Sequence, residues 1–246
     1  EYYEVQQDDL SLMALGLLQE AAKRGVKVKL LVDSMHSEIT RQQLAAMLNV
    51  IDHKRGTPNF EIKVFNPLDN PKLTDQTYRN HEKLLAVDGE RMIIGGRNLS
   101  LSYFGHGKEF NFRDMDALVA GSSAKAASEY FKKLWTTNPM VKTPQLHEFS
   151  RESVEQLCHL KDDWFQCLNS VKEWRKEIVK AQRRIQAMVK LLNRGKGDLN
   201  LSPVPAADRD RGMLEVDVKF IYSNPSTVMA KTDDKVVDQL HAYITQ

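Results

Sequence analysis

The stretch Asn80–Ser102, NHEKLLAVDGERMIIGGRNLSLS, constrains this chain more than any other. Leu84-Leu85-Ala86-Val87 and Arg91-Met92-Ile93-Ile94 are short apolar runs separated by Asp88-Gly89, a pattern that predicts two strands joined by a tight turn. Alternate residues of an extended strand point to one face, so His81 and Lys83 can meet in one pocket. Gly95-Gly96-Arg97-Asn98 follows the second strand, and its two glycines let the backbone come close to a ligand. The hairpin therefore gathers its polar groups at one end.

Histidine can act as a nucleophile as well as a base. Lysine offers a point charge to a phosphate oxygen, and a carboxamide adds another donor. Nothing in the set has metal-ligand spacing, so neither a metal nor another cofactor is expected. These residues suit phosphoryl transfer through a covalent histidine, with protein cations neutralising the developing charge. The pattern His-x-Lys-x4-Asp-x6-Gly-Gly-x-Asn resembles the signature of the phospholipase D superfamily, His-x-Lys-x4-Asp-x6-Gly-Ser-x-Asn. It matches at His81, Lys83, Asp88, Gly95 and Asn98, and it departs at Gly96, where the common form has serine. Gly-Gly-Arg-Asn followed by Tyr103-Phe104 is similar to the cardiolipin-synthase-like branch. Five identities at fixed gaps arise by chance on the order of once in millions of start positions.

The resemblance implies a phospholipid substrate, a phosphohistidine on His81, and charge neutralisation by Lys83 and Asn98. Gly95, Gly96 and Ser100 would lie against the substrate. In this superfamily an acidic residue on the following strand commonly holds the nucleophilic histidine by its second nitrogen. Asp116 is the best match for that role, with Asp114 and Glu109 as competitors. Asp88 belongs to the signature, but its turn position suggests a structural role.

Upstream, Asp8-Asp9 are good N-cap residues, and Leu10, Met13, Ala14, Leu17, Leu18 and Ala21 keep helical spacing up to Gly25. Val26–Val32 reads as a strand ending at Asp33. Helix and strand then repeat, with a helix from Ser37 to Ile51 and a strand over Phe60–Phe65. Such βαβ order implies parallel pairing. Asp114–Ala120 reads as a further strand and the segment after Gly121 as a helix to Trp135. The expected fold is α/β: a mixed, largely parallel sheet flanked by helices, as in phospholipase D-like domains, with a long helical, coiled-coil-like insertion.

Four segments follow: a catalytic half over 1–140, the helical insertion over 145–195, a linker over 196–212, and a strand–helix unit over 213–246. The insertion carries apolar residues at alternating gaps of three and four from Leu157 to Leu192, a heptad seam. Its second half is basic, with nine Lys/Arg between Lys172 and Lys196 against Glu173 and Glu177. A solvated helix face accounts for much of that charge; contact with anionic phospholipid head groups is the functional alternative.

Hydrophobic residues make up 41% of the chain and charged residues 28%, with a net charge of +2, a globular composition too weakly basic to announce nucleic acid by itself. No apolar run approaches the roughly 18–20 residues of a membrane span, and the start lacks the pattern of a signal peptide. Together with a lipid substrate this places the protein at the periphery of a membrane, on its cytoplasmic side. Glu1–Gln6 reads like the second half of a strand. Cys158 and Cys167 read as two buried free thiols.

The superfamily mechanism needs two histidines facing each other across a pseudo-twofold axis, and this chain supplies one copy of the full His-x-Lys-x4-Asp signature. Two arrangements satisfy it: an N-terminal fragment of a two-motif enzyme, which the lead-in strand at Leu214–Tyr222 favours, or a homodimer. The first goes with a phosphatidyltransferase or phospholipase, the second with a metal-independent single-motif nuclease. The intact His81/Lys83/Asn98 set argues against a degenerate, non-enzymatic domain.

Overall fold

Asp8 starts the first helix as the sequence requires. Its side chain accepts the N–H of Ser11 at 2.9 Å, which satisfies one of the free donors of the first turn. The computed structural model describes residues 1–35, 37–38, 41–48, 59–67, 77–144 and 164–193. Helix α1 runs Asp9–Lys23 and stops before Gly25, which takes φ +99°. Strand β1 (Val28–Asp33), helix α2 (Arg41–Leu48) and strand β2 (Phe60–Phe65) follow. β1 and β2 pair in parallel, from Val28 opposite Phe60 to Asp33 opposite Phe65. The expected helix over Ser37–Ile51 is described only as α2, and most of the loop before Phe60 lies outside the described residues.

The hairpin forms as β3 (Leu84–Val87) and β4 (Arg91–Gly95), antiparallel, and β5 (Asp116–Ala120) adds to β4 in the same sense. Helix α3 (Ser122–Thr137) covers one face of these three strands, and β6 (Val141–Lys142) returns antiparallel to β2. Among the described strands, parallel pairing is thus confined to β1 and β2; for β3 and β4 the short turn at Asp88-Gly89 can only reverse the chain.

The N-terminal segment joins the two sheets. Tyr2 bridges Val32 in parallel and Lys83 in antiparallel fashion. The N–H of Asp33 donates to the Tyr2 carbonyl at 3.2 Å, and that of Leu84 to the Glu1 carbonyl at 2.9 Å. β1 and β3 consequently lie on either side of one extended strand.

Helix α4 (Trp164–Asn193) packs on α1 and α2. Its Ile178 and Ile185 are buried in the same cluster as Leu12, Leu15, Leu44 and Met47. The part of the heptad seam from Ile178 to Met188 therefore faces its own chain. Gly16 of α1 makes the crossing close: a Cβ there would lie 2.4 Å from Val189 Cγ2. The start of the seam at Leu157 and Leu160, the linker and the unit over 213–246 lie outside the described residues, as do the side chain of Cys167 and all of Cys158.

Candidate active site

The approach to His81 is fixed at the ends of β1 and β2. Asp33 is fully buried at the end of β1. Its carboxylate accepts the N–H of Asn80 at 3.0 Å and that of Met35 at 2.9 Å, and lies 3.5 Å from Arg79 Nη1. Arg79 also donates to Ser34 Oγ at 3.0 Å and to the carbonyl of Asn66 at 3.1 Å. Burial pushes the Asp33 carboxyl above the usual carboxylate range, while the Met35 and Asn80 amides and the Arg79 guanidinium pull it back. The residue before the histidine is thus held through its own amide.

Beyond Asn80 the side chains alternate. Glu82 turns toward α3, where its Oε1 accepts the Tyr130 hydroxyl at 2.5 Å. His81 and Lys83 take the opposite side. The His81 ring is exposed and stacks on Tyr3, with centroids 3.7 Å apart and planes inclined by 23°. Lys83 Nζ sits 5.1 Å from the centroid of the same Tyr3 ring and donates to the His81 carbonyl at 2.5 Å. Burial makes the Lys83 ammonium easier to deprotonate than an ordinary lysine; the charges of Asp114 and Glu4 oppose that.

Asn98 is 3% exposed and held on both ends of its amide. Its Oδ1 accepts the N–H of Glu4 at 3.2 Å; its Nδ2 donates to Glu4 Oε2 at 3.3 Å and to the Tyr103 hydroxyl at 3.0 Å. The backbone around it pairs with the N-terminal segment, through Leu99 N–H to Glu4 at 3.1 Å and Gln6 N–H to Leu99 at 3.0 Å. Asp8 Oδ2 receives the N–H of Leu101 at 2.6 Å. One extended segment therefore delivers Tyr3 to His81 and Glu4 to Asn98, and His81, Lys83 and Asn98 all lie at the same end of the hairpin.

The other residues singled out from the sequence are held as follows. Asp88 is in the turn at the far end of β3, with φ +54°, beside Gly89 at φ +70°. The Asp116 carboxylate accepts Arg97 Nη1 at 2.9 Å and the Arg97 N–H at 3.3 Å. Arg97 Nε in turn donates to the Tyr103 carbonyl at 3.2 Å, so Asp116 braces the Gly-Gly-Arg-Asn turn. Ser100 is buried and donates to Gln6 Oε1 at 2.9 Å, which commits its hydroxyl to the interior. Glu109 lies exposed on the loop before β5.

The two glycines lie close against their own chain. A Cβ on Gly95 would lie 2.1 Å from Asp116 Oδ1, and one on Gly96 2.0 Å from Asp114 Oδ1. The close approach they permit here is to their own chain, because β5 pairs beside β4 with Asp116 opposite Gly95, and the Gly96 N–H donates to the Met115 carbonyl.

Tyr3, Glu4, Asp33 and Arg79 were not evident as site residues from the sequence. Only Asp33 carried a local signal, a carboxylate ending an apolar strand. Among the described residues no cluster of His, Cys, Asp and Glu could hold a metal ion, and no helix is long and apolar enough to cross a membrane.

Residues 4–135 match the family described as "Cardiolipin synthase, PLD-like domain". The chain is 33% identical over 145 residues to cardiolipin synthase C of Escherichia coli, covering 55% of this chain and 29% of that protein. It is 30% identical over 137 residues to a cardiolipin synthase of Geobacillus kaustophilus, covering 55% and 26%. A cardiolipin synthase of Staphylococcus aureus is 30% identical over 138 residues, covering 56% and 27%. The chain thus spans less than a third of the length of these curated relatives. The family match includes every residue of the site except Tyr3 and excludes α4, although α4 packs on helices that lie inside it.

Proposed function

We propose that this chain, which belongs to the cardiolipin synthase family of phospholipase D-like domains, carries out phosphatidyl transfer through a covalent intermediate on His81. The observation that carries this reading is the convergence of an exposed histidine, a lysine beside it and a fixed carboxamide at one end of a hairpin. The phospholipid substrate class rests on the names of the relatives.

A neutral imidazole nitrogen of His81 attacks phosphorus. The P–N bond forms as the P–O bond to the leaving alcohol breaks, and an acid delivers a proton to that alcohol. An acceptor hydroxyl then attacks phosphorus, the P–N bond breaks, and its proton passes to the same group. Lys83 neutralises charge on the phosphoryl oxygens as it builds, a kind of stabilisation worth about 10²–10³ in rate. Tyr3, flat against the imidazole, fixes the plane in which the nucleophile is offered.

The proton-handling group is a second histidine, supplied by a further His-x-Lys half of the same polypeptide or by a second copy of this chain. Support for a covering half comes from the sheet. By strand alternation Lys83 shares its face with Leu85, Ile93 and Leu118, and these three apolar side chains are exposed. The protein would act at the surface of a membrane, where the exposed lysines of α4, among them Lys172, Lys176 and Lys180, would meet anionic head groups.

The test is to incubate the chain, alone and as part of a polypeptide that carries a second His-x-Lys half, with phospholipid vesicles in EDTA, follow release or exchange of the head group, and trap the intermediate by acid-free mass spectrometry. A phosphatidyl adduct on His81, lost in His81→Ala with the fold intact, is the expected result. Turnover unchanged in His81→Ala overturns the assignment. Cleavage of a generic phosphodiester or DNA by a dimer, with no action on lipid, replaces it with the single-motif nuclease.

A further inference from the structure

The loop between Phe104 and β5 exposes apolar side chains beside the site. Phe110 and Met115 are 58% and 81% exposed, and Phe104 and Phe112 are exposed with them. The loop's own backbone holds them there. Gly105 turns the chain with φ +80°. The N–H of His106 donates to the Leu101 carbonyl at 3.0 Å, and that of Phe112 to the Ser102 carbonyl at 2.9 Å. Asn111 Oδ1 accepts the N–H of Gly107 at 2.7 Å, and a Cβ on Gly107 would lie 2.1 Å from the Phe110 carbonyl oxygen. A closed, hydrogen-bonded loop thus keeps these large apolar residues in water, a grouping that marks a surface used for contact.

Ring contacts tie the loop to the candidate site. Asn98 Nδ2 donates to the Tyr103 hydroxyl at 3.0 Å. The Tyr103 ring stacks on Phe112 with centroids 4.5 Å apart, and Phe110 meets Phe112 edge-on at 5.0 Å. This series leads from the carboxamide at the end of the hairpin out to the exposed tip. Charged groups are interleaved with it. Lys108 and Arg113 are exposed on either side of Phe110 and Phe112, with Glu109 the exposed acid between them, and the Arg97 guanidinium lies 5.9 Å from the Phe104 centroid. The apolar row Leu85, Ile93 and Leu118 runs directly across the strands without an intervening charge, which suits a protein partner. Lysine and glutamate, by contrast, are depleted from protein–protein contacts. Phenylalanines flanked by basic residues match the boundary where acyl chains meet anionic head groups.

We propose that the loop from Gly105 to Met115 docks on an anionic phospholipid bilayer, with Phe110 and Met115 entering the acyl boundary and Lys108 and Arg113 meeting the head groups. It rests on the reading above only for the use made of the docking: a loop seated at that depth brings the end of the hairpin, with His81 and Lys83, toward the level of the lipid phosphates. Phe112 and Tyr103 then link the membrane-facing tip to the carboxamide of Asn98.

The test reads the loop itself and needs no turnover. The full chain is sedimented with vesicles of phosphatidylcholine and phosphatidylglycerol in equal parts. In parallel, the fluorescence of Phe110→Trp is compared with that of the parent, using lipids brominated on their acyl chains, and Ile93→Trp reports on the open row. Phe110→Trp is expected to shift to the blue on binding and to be quenched by the brominated chains. Phe110→Ser combined with Met115→Ser should weaken sedimentation at least about tenfold, the loss that follows when an apolar contact of phenylalanine size is removed. Circular dichroism should stay native, because both side chains stand in water in the free chain. A chain that does not sediment with the vesicles, sedimentation unchanged in the double variant, or quenching at Ile93→Trp without quenching at Phe110→Trp overturns the proposal. It also falls if the double variant halves the mass seen by light scattering and leaves vesicle binding intact, which would make the loop a contact between protein chains. A chain that docks by this loop but turns over no phospholipid, even with a second half in place, keeps this inference and loses the lipid-substrate reading. Turnover of phospholipid without quenching at Phe110→Trp does the reverse.

Discussion

Lys83 is placed against its own surroundings. Burial favours the neutral amine, and the carboxylates of Asp114 and Glu4 favour the cation, with burial the larger effect. Because its folded pKa lies below that of an ordinary lysine, the charged form costs folding stability at neutral pH, and that cost is relieved as pH rises from the lowered value to the ordinary one. Turnover that needs the ammonium has the opposite slope. The alkaline limb of the pH–rate profile is therefore expected below the usual lysine value of about 10.4, and it should vanish in Lys83→Ala. That variant is expected to lose about 10²–10³ in kcat while its Tm is not lowered, a combination that steady-state assays and calorimetry would check. A parallel loss of Tm and rate would mean that the lysine is part of the scaffold. At this scale the sequence was half legible. His81, Lys83 and Asn98 stand in a fixed spacing. Tyr3 and Glu4, by contrast, meet them across the fold, and the two Glu4–Asn98 hydrogen bonds join residues 94 positions apart, beyond the reach of any local pattern.

Elements show the same division. The hairpin was legible because its turn chemistry is local: Asp88 and Gly89 both take positive φ, which aspartate tolerates and glycine accepts freely. Asp88 is far from His81 along β3, so Asp88→Val should cost about 1–2 kcal/mol of stability from the left-handed backbone and leave kcat of the folded fraction unchanged. Asp88→Asn should be nearly silent in both. A large loss of kcat in Asp88→Asn would give the signature aspartate a chemical role after all. The docking of α4 was not legible, since a heptad seam says that an apolar stripe is covered and not by what. Gly16 was the available signal, an isolated glycine inside a helical pattern. Its reason is the crossing with α4, where a Cβ would meet Val189 Cγ2 at 2.4 Å and Ile185 Cγ2 at 3.1 Å. Gly16→Ala gains up to about 1 kcal/mol of helix propensity but overpacks the crossing by about 1–3 kcal/mol, so a net loss is expected. Val189→Ala should restore stability in the Gly16→Ala background more than its own cavity lowers it in the parent. Denaturant unfolding of the four chains measures that coupling.

For the whole molecule, the two faces of β3–β4–β5 differ in kind. One is covered: Leu84 and Met92 pack with Ala124 and Ala127 of α3. The other carries Leu85, Ile93 and Leu118 directly across from one another in register, exposed by 38%, 39% and 44%. Three apolar residues in a cross-strand row form a continuous patch rather than scattered surface residues, and by alternation Lys83 stands on the same face. Lys83 of the signature and the open row therefore share one face, so a body that covered the row would also lie beside the site. The covering half proposed above would meet both needs at once. Ile93→Lys places a charge in the middle of the row at a position already partly in water. Stability of the uncovered domain should then move by no more than about 0.5 kcal/mol, while burial against a partner becomes costly. The expected outcome is native circular dichroism with turnover reduced at least about tenfold, since misplacing a reacting group by an ångström can cost about a hundredfold. Where the covering half is a second copy, light scattering should also show the mass fall by half. Unimpaired turnover and an unchanged mass would mean that the row is solvent-facing in the working enzyme and that the second proton-handling group approaches from another side.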